Sequence, residues 1–207
     1  MLLNYIGFIS GLLPVIAAVF NYKNLNSLLK TAAVFYLLSF IVDFASWLTY
    51  QKYLPISYNY PLLYASILLS ITFYSFFYYR VFYSIQNKQI ARYAGTVTMV
   101  CVIAFMLVKG VQVYPDWPNT ILNVLLIVLS LLFFYQLFNR QEFVHIEEQP
   151  VFWINAGVLV YFAFTLFLFM LAAKIKTQNF FDINAAANLV SHVFFTIGLS
   201  CKHQKTA

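Results

Sequence analysis

A chain of 207 residues in which 63% are hydrophobic and only 9% are charged cannot carry a water-facing globular surface, because soluble domains run near a quarter charged. Its formal charge of +6 comes from twelve lysines and arginines against six acids. The basic residues are scattered through the short gaps between apolar runs, which argues against a nucleic-acid patch and fits topology signals.

A bilayer core about 30 Å thick takes roughly 20 apolar residues per helix, so the chain holds about seven spans and no separate soluble domain. The runs place these spans near 3–20, 31–50, 60–79, 93–114, 119–138, 151–173 and 185–201. They are apolar all round instead of alternating with a period of two, so helices are the spanning solution that satisfies the backbone, and a barrel is excluded. The expected fold is an all-α polytopic bundle.

The first run has no basic leader and no small-residue cleavage site before Asn21, so it reads as a retained helix. Within it Gly7 and Gly11 form a small-xxx-small step and Pro14 is placed to bend the helix, which predicts close packing and a surface for self-association of unspecified copy number. The second run holds Asp43, the one acid inside a span, with Ser39 and Trp47 at i−4 and i+4. A carboxylate at that depth costs about 2.5–3.5 kcal/mol on insertion scales, so Asp43 is predicted to face the bundle interior and to have a partner. It is either a ligand, ion or proton site or a protonated packing residue.

The third run is flanked by Tyr58, Tyr60, Tyr78 and Tyr79, the pattern of aromatic belts at a membrane surface. Tyr36, Tyr64 and Tyr161 lie deeper, where their hydroxyls need partners, and are predicted to line a pocket. Cys101 and Cys201 sit in or at the end of apolar runs, as small buried hydrophobes and not as a disulfide. The sixth run contains Asn155. In the last, Asn188, His192 and Thr196 repeat at i, i+4, a stripe that must point at protein or water and serves either a ligand or helix packing.

One intramembrane histidine and one intramembrane acid are too few for a zinc site, and His145 with Glu147 and Glu148 reads as a solvated loop, so no metal is expected. Lys109, Lys174 and Lys176 lie at span ends, where none can serve as a buried Schiff-base lysine. There is no Gly-x-Ser-x-Gly, phosphate loop or Cys-x-x-Cys, and no cofactor is expected. Lys23, Lys30, Arg80, Lys88, Arg92, Arg140, Lys202 and Lys205 collect on one side against Lys52, Lys109, Lys174 and Lys176 on the other. By the positive-inside rule the N-terminus is outside and the C-terminus inside.

Phe152, Trp153, Ile154, Gly157, Leu159 and Tyr161 form an FW-I-x-x-G-x-L-x-Y pattern, and the chain has an aromatic-rich third span over residues 59–80. In these features most of the chain resembles a group of uncharacterised seven-helix membrane proteins of Bacteroidetes-type bacteria. That group is similar in layout to the seven-helix sensory regions that precede histidine kinases. The resemblance implies membrane sensing. No kinase or other output domain follows, so a signal would pass through a separate signalling protein.

The expected function is therefore a sensory or accessory protein of the bacterial inner membrane, in contact with membrane lipids and not with nucleic acid. It would bind a small or lipidic ligand among Asp43, Trp47, Asn155, Asn188 and His192. Two alternatives stay open: an intramembrane lipid-modifying enzyme with Asp43 and His192 as an acid/base pair, and a small channel or transporter.

Overall fold

The structure, a computed structural model, describes residues 2–50, 53, 55, 58–139, 146–171 and 177–201. Among them the regular elements are helical. The first span is two helices, α1 (Leu2–Ser10) and α2 (Leu12–Asn21), finished by a 3₁₀ turn over Tyr22–Asn24. Six long helices follow: α3 (Ser27–Tyr50), α4 (Asn59–Val81), α5 (Ile85–Lys109), α6 (Asp116–Phe138), α7 (Pro150–Leu171) and α8 (Thr177–Ser200). Seven segments are long and apolar enough to cross a membrane, the architecture of a multi-pass membrane protein.

Local chemistry explains several helix ends. Pro14 has no N–H for the carbonyl of Ser10 and its ring crowds that carbonyl, so the first span breaks at Gly11, whose own N–H donates to the Phe8 carbonyl at 3.1 Å. Ahead of α3, the Asn26 side chain accepts the Leu29 N–H at 2.8 Å and caps the first turn.

The fourth span departs from expectation at both ends. α5 begins at Ile85, eight residues before the apolar run, because Gln86–Gln89 form helical turns that project beyond the lipid-compatible stretch. It stops at Lys109, five residues early, where Gly110 takes φ 79° and donates its N–H to the Met106 carbonyl at 2.9 Å. A side chain at Gly110 meets no neighbour but does meet this backbone conformation. Gly110→Ala is therefore expected to lower stability by about 1 kcal/mol, read by thermal unfolding of the detergent-solubilised chain.

The packing is a ring of six spans with one outside it. The α1/α2 span touches α8 on one side and α3 on the other; α3 then packs on α4, α4 on α6, α6 on α7 and α7 on α8. α5 lies against α4 and α6, outside the ring. Side chains such as Val19, Phe20, Leu107 and Val108, each at least 70% exposed, cover the outer surface and are matched to lipid.

Close approach to α8 uses small residues. A methyl group on Gly7 would come within 3.0 Å of the Ala185 side chain, and one on Gly198 within 2.8 Å of the Pro150 carbonyl. Gly11 faces Phe40 and the His192 ring. The small-residue face expected to serve self-association is thus occupied within the chain.

The half of the ring toward the 22–26 and 82–84 connections is dense. Phe77, Tyr78, Phe82, Leu126, Leu129, Ile154 and Leu199 are fully buried there. In their midst the Tyr78 hydroxyl donates to Asn155 Oδ1 at 2.7 Å, Asn155 Nδ2 donates to the Ser130 carbonyl at 3.3 Å, and Ser130 Oγ donates to the Asn155 carbonyl at 3.2 Å. This knot joins α4, α6 and α7.

Candidate functional site

The opposite half of the ring, toward the start of α1, the end of α3 and the 110–115 connection, is not filled. A chamber of about 400 Å³ lies between α3, α4, α6, α7 and α8, with the 110–115 connection at its mouth. A second chamber of about 340 Å³ extends from it toward α1 and α2. The two share Tyr36, Ser39, Asp43, Tyr161, Asn188 and His192, so they form one hollow with two lobes. Its floor is aromatic: Phe35 stacks on Phe73 at 4.0 Å between ring centres and meets Tyr74 edge-on at 5.2 Å, while Tyr36 stacks on Phe195 at 4.7 Å. α5 contributes none of the lining.

Asp43 sits seven residues before the end of α3, about 10 Å along the helix from that end. It was expected to have a partner, yet among the described residues no hydrogen bond or ion pair joins it to His192 or to any other group. Asp43 lines both lobes instead. An unpartnered carboxylate is tolerable at this depth because the hollow, and not hydrocarbon, surrounds it.

His192 approaches from α8. Ser10 Oγ lies 2.8 Å from His192 Nδ1 and 2.7 Å from the Gly7 carbonyl. A hydroxyl has one proton, and the carbonyl can only accept, so Ser10 donates to Gly7 and accepts from Nδ1–H. The neutral ring then offers the lone pair of Nε2, which makes no hydrogen bond among the described residues, to the hollow. On the same helix Thr196 Oγ1 donates to the His192 backbone carbonyl at 2.6 Å and Ser191 Oγ to the Asn188 backbone carbonyl at 2.9 Å.

Across the chamber, α6 presents Asn119 and Asn123 at i, i+4 spacing. Asn123 has no exposed surface, and among the described residues neither its Oδ1 nor its Nδ2 has a hydrogen-bond partner. At the mouth, burial of Tyr114, with Asp116 and Tyr60 beside it, raises its phenol pKa and keeps it a hydrogen-bond donor at physiological pH. Asp43 is the one charged side chain among the described lining residues; no lysine or arginine joins it.

Of the residues singled out from the sequence, Asp43, Asn188 and His192 line the same hollow, as do Tyr36 and Tyr161. Trp47 does not. Each four-residue step on a helix drifts by about 40°, so two steps from Ser39 turn Trp47 aside, where it stacks on Phe8 at 5.6 Å and Phe44 at 5.9 Å. Asn155 belongs to the buried knot in the other half, and Tyr64 is buried away from the lining. His145 and the side chain of Glu147 fall outside the described residues. Asn123, Asn119, Asn184 and Ser10 were not anticipated; the i, i+4 spacing of the asparagine pairs 119/123 and 184/188 is the signal that points to them. No protein-family model, curated protein or solved structure matches this chain.

Proposed function

We propose that this chain is a receptor-like protein of the bacterial inner membrane that binds a small ligand in the two-lobed hollow and passes the effect to a separate signalling protein at its basic end. The observation that carries the reading is the hollow itself: Asp43, Asn188 and His192 line a space of small-molecule size in a bundle otherwise packed for lipid. The eight-to-four bias of basic residues supports an outside N-terminus, and with it a hollow that opens outward. The dense half around Tyr78 and Asn155 supports reception over conduction, because a pore needs a continuous polar path.

The test uses the full chain in lipid nanodiscs and in liposomes. Small polar molecules are expected to raise the unfolding temperature of the parent, and Ser39→Phe, which fills the junction of the lobes, is expected to abolish that gain. Ion flux into liposomes should stay at background. Flux lost in Asp43→Asn would replace the reading by a channel, and lipid turnover lost in the same variant would replace it by an enzyme.

A further inference from the structure

Resting on that reading, we infer that the ligand of the hollow is a small organic cation, a soluble amine whose ammonium group is held by Asp43 against the tyrosine walls while its polar remainder meets Asn123. Four observations converge on this chemistry. The formal charge of the described lining is that of one carboxylate with no basic side chain to offset it. His192 adds a second acceptor, since its Nδ1–H donates to Ser10 Oγ and the Nε2 lone pair is left to the hollow. Tyr36 and Tyr161 line both lobes together with Asp43, so the carboxylate shares its walls with aromatic rings, a setting that suits an ammonium group. On the far wall, both amide atoms of Asn123 are buried without partners among the described residues, a donor group and an acceptor to meet a neutral polar group such as a hydroxyl.

Size and charge separate this class from its neighbours. A chamber of about 400 Å³ exceeds what a bare inorganic cation fills and matches a small molecule. An ammonium-bearing phospholipid headgroup shares the recognition chemistry, but it also brings a phosphate, and the described lining offers no lysine or arginine to receive one. A soluble amine meets the acceptors without that penalty.

The experiment measures binding to the full chain in nanodiscs made of phosphatidylglycerol alone, so that no ammonium headgroup is present. The compounds are ethanolamine, choline and tyramine, their neutral isosteres ethylene glycol, 3,3-dimethylbutanol and tyrosol, and the anions glycolate and 4-hydroxyphenylacetate. At least one amine is expected to bind about tenfold tighter than its isostere, and Asp43→Asn to reduce that preference to about twofold without weakening the isostere. Equal binding of an amine and its isostere overturns the cation inference and leaves the receptor reading standing. Binding of nothing in the three sets overturns both. Saturable stabilisation by sodium or potassium chloride alone assigns the site to an inorganic ion and overturns the inference. Stabilisation by phosphatidylethanolamine nanodiscs with no response to soluble amines assigns it to a headgroup, with the same consequence. If Asp43→Asn fails to fold, the comparison of each amine with its isostere on the parent chain decides alone.

Discussion

Asn155→Leu is expected to destabilise the folded bundle by about 2–3 kcal/mol, because it leaves the buried Tyr78 hydroxyl and the Ser130 carbonyl facing a methyl group. Hydrogen bonds between membrane helices contribute less on average than their geometry suggests, about 0.6 kcal/mol each, since the separated helices also find partners. This loss is set higher for a specific reason. Tyr78 and Asn155 have no exposed surface, so neither group left behind can turn to water or to a lipid headgroup.

The measurement is reversible unfolding in mixed micelles, run as a double-mutant cycle with Tyr78→Phe. The double variant should lose less than the sum of the two single variants, because Tyr78→Phe removes one of the orphaned groups. Strict additivity would show that the knot does not act as a unit. Ligand binding in the distant hollow should be unaffected in any Asn155 variant that remains folded.

The spans were legible in the sequence because a run of some 20 apolar residues has one stable fate in a bilayer. Their ends were less so. Hydropathy reports the band that fits lipid, whereas a helix ends where its hydrogen bonds do, so Gln86–Gln89 continue into α5 and Gly110 stops it before Tyr114. Asp43 and His192 stood out because an ionisable residue is rare inside a span. The hollow that holds both, and the placement of α5 outside the ring, depend on which helices touch, which no single span records.

The two asparagines at positions 123 and 155 show the limit most clearly. Both interrupt leucine-rich or aromatic runs, and both are completely buried. What separates a packing residue from a site residue is whether α4 and α6 deliver a tyrosine and a serine to the amide, as they do at Asn155 and do not at Asn123. Those partners lie 77 and 25 positions away in the chain. Composition and local spacing hold no trace of them.

The same substitution at Asn123 is therefore expected to have the opposite sign. Asn123→Leu replaces two unpaired buried polar atoms with methyl groups of similar shape, which should raise the stability of the ligand-free chain by about 1 kcal/mol. It should at the same time lower affinity about tenfold for whichever of ethanolamine or tyramine binds the parent more tightly, since each carries a hydroxyl for the amide to meet. Choline analogues lacking that hydroxyl should lose little, which separates a lost contact from a collapsed hollow.

A gain in stability bought with a loss of binding is the behaviour of a residue kept for its ligand and not for the fold. Should Asn123→Leu leave stability unchanged and affinity intact, the amide is satisfied by water in the empty hollow and takes no part in recognition. If stability falls, Asn123 is a second packing group like Asn155, and the ligand's polar remainder must be sought against Asn119 or Asn184 instead, nearer the mouth.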